Sequence, residues 1–176
     1  MLNKINYKMK TIKIEKFDEK QANNILKYYL DKYNIEVLKW SVSSCGRAYW
    51  NKNAVKIPRP TDIDRFGVCM HEIKHIIDGN IKPRYVSEFR CDKFALDIID
   101  NLGWENTLFK ARMKWHVLSR VAMATNRGHK NVDSIISNYY TDIDFTKWYD
   151  VKTWVGVNRV GNRSNVDWWK PVISNY

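Results

Sequence analysis

The chain has 176 residues, a length typical of one domain, and 44% of them are hydrophobic. No run of about 18 apolar residues predicts a membrane span, and the lysine-rich start lacks the apolar segment of a signal peptide. Net charge is +11, yet residues 61–104 hold eight Asp and Glu against six Lys and Arg, so basic regions flank one acidic segment. Three cysteines without CxxC spacing favour reduced thiols and a cytoplasmic protein.

The first third of the chain predicts strands around one helix. Residues 11–17 alternate apolar and polar side chains, as a strand does. Asp18 is a typical N-cap and Gln21 completes a capping box, so a first helix is expected to extend to about Lys32. Residues 35–43 alternate again and predict a second strand. RAYW and AVKI on either side of NKN predict a β-hairpin.

Helices are expected in the rest of the chain. Gly79 follows the first of them and is a typical stop, and Ser87 is a typical N-cap for the second. The expected helices run from a cap at Thr61 or Asp62 to Asp78, then over 88–101, 105–126 and 131–139.

This order of elements predicts an α+β fold. A small, mainly antiparallel sheet would carry helices on one face. Residues 11–144 form the expected domain and residues 1–10 an N-terminal extension. Residues 145–176 form a Trp-rich tail that packs on the domain or on a partner.

The sequence HEIKH at residues 71–75 is the strongest chemical signal. His71 and His75 are four residues apart, so they share one face of a helix and can bind one zinc ion. Glu72 is rotated by about 100° from His71, and there it can accept a proton from a zinc-bound water. Lys74 would weaken zinc binding or extend into solvent. The alternative is a partly buried helix whose histidines bind neighbouring carbonyl groups.

The next predicted helix offers a third ligand. Glu88 and Asp92 are four residues apart and share a face. The segment between His75 and Glu88 is long enough for the two helices to pack antiparallel. Glu88 can then bind zinc while Asp92 accepts an N–H from a ligand histidine. Without zinc, the same groups would form a salt-bridge cluster.

HEIKH followed by EFRCDKFA resembles the two motifs of the gluzincin metallopeptidases, in particular the ImmA/IrrE-type peptidases of bacteria and their phages. CGRAYWNKNAVKIPRP, ahead of the helix, is similar to the hairpin of SprT-like domains, which use a third histidine as zinc ligand. The resemblance covers residues 35–97. It implies a zincin-like active-site helix pair in the domain.

The resemblance also implies the roles of the site residues. Zn²⁺ would be bound by His71, His75 and Glu88, with Glu72 as general base and acid. A substrate strand would pair with the hairpin edge near residues 54–57.

The donor for a transition-state oxyanion is not fixed by either motif. His116, Tyr85 and Arg84 are the candidates, although a histidine such as His116 is more often a core or surface residue. Cys69 and Cys91 lie near the motifs and are expected to be packing residues.

The expected function is that of a zinc-dependent metallopeptidase acting on an intracellular protein, in a bacterial cytoplasm or, if phage-encoded, in a host cytoplasm or virion. The alternative is a zincin-fold binding or assembly protein, such as a virion or nucleoprotein component, with a structural or vestigial metal. A third hypothesis is nucleic-acid binding, which the +11 charge and the interleaved Trp and Tyr residues favour. The sequence gives no oligomeric state.

Overall fold

A computed structural model describes residues 16–143 and 145, which form five helices and one three-stranded sheet. The fold class is α+β, as the order of predicted elements indicated. Most of the strand predicted over 11–17, the N-terminal extension and nearly all of the tail lie outside the described residues. The elements are α1 (Glu19–Lys32), β1 (Glu36–Ser41), β2 (Arg47–Tyr49), β3 (Ala54–Pro58), α2 (Ile63–Asp78), α3 (Arg84–Asn101), α4 (Thr107–Asn126) and α5 (Ser134–Tyr139).

The sheet is mixed, which corrects the expectation of a mainly antiparallel one. Its strand order is β1-β3-β2, with β1 parallel and β2 antiparallel to β3. The predicted hairpin is confirmed, because a 3₁₀ turn at Trp50–Lys52 and a left-handed Asn53 (φ 49°) join β2 to β3. Alternation of side chains identifies a strand but does not fix its direction, so the sequence could not show that β1 is parallel.

The position of β3 also corrects the expected substrate edge. Residues 54–57 belong to the central strand, which is hydrogen-bonded to a neighbour on both sides. A strand paired on both sides has no free backbone groups for an added peptide. Within the described residues, the free edges of the sheet are those of β1 and β2.

Helix α2 begins and ends where its sequence predicts. Asp62 is the N-cap, and its carboxylate accepts the N–H of Arg65 at 2.8 Å. Gly79 ends the helix with a φ of +69°, a conformation that favours glycine. Its buried face, which includes Phe66 and Ile73, belongs to one hydrophobic cluster with side chains of α1, β3, α3 and α4. This packing holds the HEIKH helix between the sheet and α3.

Helix α3 begins one turn earlier than predicted. Pro83 is its N-cap and Arg84 its first residue, so Ser87 lies inside the helix and is buried. The prediction of Ser87 as N-cap is therefore wrong, because proline, which lacks an N–H, already suits the start of this helix. None of the helices in the described part of the chain combines the length and the apolar character needed to cross a bilayer.

We expect Ile73→Ala to lower the free energy of unfolding by about 2–5 kcal/mol, because a fully buried side chain of α2 would leave a cavity in the core. Urea denaturation measures the change. Ile135→Ala is the matched control: Ile135 is 65% exposed, and its substitution should change stability little. Equal losses in the two variants would contradict this placement of α2.

Candidate metal centre

The two histidines of HEIKH point at one place. His71 and His75 lie one turn apart on α2, and their Nε2 atoms are 3.0 Å from each other. His71 is buried and His75 partly buried. Two imidazole nitrogens this close, on one helix face, are suited to one shared partner.

Glu88 brings a carboxylate from α3 to the same place. Its Oε2 lies 3.2 Å from His71 Nε2 and 3.4 Å from His75 Nε2, and its side chain is 2% exposed. Helices α2 and α3 are antiparallel here, since the earlier residue of α3, Glu88, contacts His75, and the later one, Asp92, contacts His71 one turn before it on α2. The structure thus brings together the three ligands that the sequence suggests.

His116 joins this group from α4. Its Nε2 lies 3.6 Å from Glu88 Oε2, and the ligand atoms of His71, Glu88 and His116 all lie within 4.8 Å of one another. The sequence made His116 a candidate oxyanion donor. The structure places it among the ligand atoms themselves.

Hydrogen bonds on the far side of the rings fix their orientation. Asp92 accepts from two histidines: His71 Nδ1 donates to its Oδ1 at 2.7 Å, and His116 Nδ1 to its Oδ2 at 2.8 Å. Ser87 Oγ lies 3.2 Å from His75 Nδ1 and can accept from it. A proton held on Nδ1 leaves the lone pair of a neutral ring on Nε2, which is the nitrogen that faces the centre of the group.

The spacing of three of these atoms, His71 Nε2, His75 Nε2 and Glu88 Oε2, suits a small tetrahedral ion. Bonds of about 2.0–2.1 Å around such an ion separate neighbouring ligand atoms by about 3.3–3.4 Å. The separations among these three atoms are 3.0, 3.2 and 3.4 Å, and His116 Nε2 lies 3.6 Å from the Glu88 oxygen. Imidazole and carboxylate are also ligands that divalent metals accept. These residues can therefore bind a metal ion.

The charges of the cluster are strongly coupled. Burial alone would lower the pKa of His71, but the Asp92 and Glu88 carboxylates raise it well above the usual value. Burial would raise the pKa of Glu88, yet hydrogen bonds to His71 and His75 hold it well below its ordinary range. The two carboxylates therefore need positive charge beside them, which protons on the histidines or a bound cation can supply.

Glu72 lies beside the cluster and faces the sheet. A Cβ added at Gly46 would lie 2.4 Å from Glu72 Cγ, so only glycine leaves room for this side chain next to β2. Burial raises the pKa of Glu72, while His71, His75 and the backbone of Ala48 oppose the rise. Glu72 is thus a partly buried carboxylate next to the ligand group, with a backbone hydrogen bond from Ala48 of β2.

A cavity of about 610 Å³ opens over these residues. Its lining includes Glu72, the ligand group and the β2 segment from Cys45 to Ala48. Four cations also line it. Two of them approach Glu88 Oε1, Arg84 Nε at 2.8 Å and Arg120 Nε at 3.8 Å. The other two, Arg47 and Lys82, form no ion pair with any carboxylate in the described residues.

Lys74 does not disturb the cluster. Its Nζ pairs with Asp78 Oδ1 at 2.7 Å and lies 5.3 Å from the centre of the Phe94 ring. It is not among the residues that line the cavity. The positive charge inside HEIKH is therefore neutralised along α2, away from the ligand atoms.

Tyr85 is not placed for the role that the sequence analysis considered. Its hydroxyl donates to the backbone oxygen of Asn131 at 3.4 Å, and the residue does not line the cavity.

Arg120 is the residue that sequence reasoning missed. Its Nε is buried without a hydrogen bond in the described structure, and its spacing of four from His116 was the available signal.

Both cysteines near the motifs are buried thiols. Cys69 Sγ donates to the backbone oxygen of Pro58 at 3.2 Å, and burial raises its pKa. Cys91 forms a second possible ligand group with His71 and His75, but burial raises its pKa as well. Glu88 Oε2 lies 3.2 and 3.4 Å from the two histidine Nε2 atoms, the spacing of ligands around one ion, so we take Glu88 as the ligand.

Fold and site together define an α+β protein with a candidate metal centre built from three helices. Comparison with protein-family models, curated proteins and solved structures finds no match. The case for a function therefore rests on the geometry of the site.

We expect Asp92→Asn to weaken metal binding by about 10–100-fold, because an amide offers one oxygen where two histidines need an acceptor. A titration against a chelating indicator measures the affinity. Asp97→Asn, on the exposed side of the same helix, is the control and should bind metal as the parent chain does. Unchanged affinity in Asp92→Asn would show that the carboxylate does not orient ligands.

Proposed function

We propose that this protein is a zinc-dependent metallopeptidase of the gluzincin type that hydrolyses peptide bonds of a protein substrate. One observation carries the proposal. The Nε2 atoms of His71 and His75 and Glu88 Oε2 lie 3.0–3.4 Å apart, with Glu72 beside them at an open cavity. This is the arrangement that HExxH chemistry requires.

The donor set favours zinc over other common metals. Histidine nitrogens with one carboxylate at tetrahedral spacing are typical of Zn²⁺, whereas Mg²⁺ and Ca²⁺ prefer sites made of oxygen ligands. A bound zinc ion would supply a Lewis acid that lowers the pKa of water to about 7 and polarises the carbonyl group to be cleaved.

The residues of the chain would supply the remaining steps. Glu72 takes the proton of the attacking water and gives it to the leaving amine. Asp92 and Ser87 keep the ligand rings in place through their Nδ1 atoms. Arg120 lines the cavity with an Nε that has no hydrogen bond in the described structure, and it is our candidate to stabilise the oxyanion.

The free edge of β2 is the proposed binding place for the substrate backbone. β2 borders the cavity and contacts Glu72 through Ala48. An extended peptide that pairs with this edge would bring its backbone alongside the general base. The substrate strand would thus lie against β2, not at residues 54–57.

We expect Glu72→Gln to lower the rate of peptide hydrolysis by about 10²–10⁴-fold, because the amide cannot accept the proton of water. Cleavage of a peptide library followed by mass spectrometry measures the rate, and zinc content should be unchanged. Glu36→Gln on β1 is the control. Full activity in Glu72→Gln would overturn the proposed mechanism.

Charge in the cavity predicts the kind of peptide that binds. Since Arg47 and Lys82 have no carboxylate partner in the described structure, peptides with acidic side chains should be cleaved with a higher kcat/KM than neutral ones. Replacing both cations with serine should reduce this preference several-fold, and salt should reduce it further. Lys39→Ser, away from the cavity, serves as control. An unchanged preference would exclude these cations as specificity determinants.

A second candidate function is that of a binding protein whose zinc is structural. The observation in its favour is His116, since four protein ligands are typical of structural zinc sites. In that case chelation of the metal would unfold the chain, and neither the parent chain nor Glu72→Gln would cleave any peptide. Binding of nucleic acid, a phage origin and the role of the tail stay predictions from the sequence.

A further inference from the structure

We infer that His116 is a fourth protein ligand of the resting metal centre and the ligand that an incoming molecule displaces. The inference rests on the metal site of the proposed function but not on its peptidase activity. It differs from the three-ligand pattern implied by the sequence resemblance, because it gives the resting site no open position.

Distance is the first argument. His116 Nε2 lies 3.6 Å from Glu88 Oε2, close to the separation of about 3.3–3.4 Å expected between two ligands of one zinc ion. His71 Nε2 lies 3.2 Å from the same oxygen. The Glu88 oxygen therefore has three imidazole nitrogens around it, with His75 Nε2 as the third at 3.4 Å.

The orientation of the ring is the second argument. His116 Nδ1 donates to Asp92, so the neutral ring carries its lone pair on Nε2. A lone pair binds a metal, whereas an oxyanion donor would need a proton on this nitrogen. Asp92 holds His71 in the same way through its other oxygen. One carboxylate thus orients two rings towards the same point, as it would for two ligands.

Of the four ligands, His116 is the one best placed to leave. His71 and His75 share α2, and Glu88 lies on α3, the helix against which α2 packs most extensively. His116 lies on α4, which packs against α3 and contacts α2 far less. Its side chain is 28% exposed, against 11% for His71 and 17% for His75, and it lines the cavity.

Exchange at His116 would open the metal towards the cavity. The bond from Nε2 to a bound metal would break as a bond from a water or carbonyl oxygen formed, so the exchange would need no proton or electron transfer. The other three ligands keep their places, because none of them lies on α4. The resting centre is thus closed, and a molecule that enters the cavity opens it.

Cobalt-substituted protein tests the inference. Co²⁺ replaces Zn²⁺ and reports the number and kind of its ligands by visible absorption. We expect His116→Ala to bind Co²⁺ at least about tenfold more weakly than the parent chain. Its spectrum should shift at low azide concentrations, because azide fills the vacated position, whereas the parent chain should need at least tenfold more azide to displace His116.

Matched variants keep the experiment decisive. His129→Ala removes a histidine that does not line the cavity and should behave as the parent chain does. His116→Gln, which retains side-chain volume and a polar group near Asp92, replaces His116→Ala if the latter does not fold by circular dichroism. If the folded His116 variant matches the parent chain in Co²⁺ affinity, spectrum and azide response, His116 is not a ligand and the inference is overturned.

The readout also separates this inference from the proposed function. Glu72→Gln should lose hydrolysis but keep the parent Co²⁺ spectrum, because Glu72 lies outside the ligand group. If no peptide is cleaved while His116→Ala shows the expected spectral change, the peptidase proposal fails and the four-ligand site stands. If peptides are cleaved and the spectra of parent and His116→Ala agree, the four-ligand site fails and the peptidase proposal stands.

Discussion

The buried carboxylate of Asp92 is the interaction on which the site depends. It lies on α3 and accepts hydrogen bonds from His71 on α2 and His116 on α4, so it joins three helices at one point. Burial would raise its pKa, but the two histidines hold that pKa low. The carboxylate therefore stays charged, and hydrogen bonds from the two rings offset the cost of burying that charge. The orientation of the His71 and His116 rings is a consequence of this contact.

Local chemistry explains the part of the structure that the sequence predicted. The cap at Asp62 and the stop at Gly79 define α2, and spacing of four places His71 and His75 on one face. Contacts between residues far apart in the sequence leave no such local signal. His116 reaches Asp92 across 24 residues of chain, and nothing in its own helix marks that contact. The same limit applies to the direction of β1, because side-chain alternation is alike in parallel and antiparallel strands.

The structure explains the positions of two residues, Lys74 inside HEIKH and Gly46 ahead of β2. Lys74 is neutralised by Asp78 one turn further along α2, so it leaves the ligand group undisturbed. Gly46, which sequence reasoning treated only as part of a hairpin, provides the space in which the Glu72 side chain lies. The Glu72 side chain, our proposed general base, thus lies in the space left by a missing side chain on the neighbouring segment. Selection for the proposed chemistry would act on both positions together.

Because β2 is short, its free edge can pair with only a short peptide segment. The strand has three residues, and the backbone of one of them, Ala48, already contacts Glu72. Long exposed edges invite pairing between copies of a protein, and short ones are a common protection against such aggregation. An edge of this length can hold a peptide for the few residues around one bond, yet it offers too little backbone to extend a sheet from one molecule to the next.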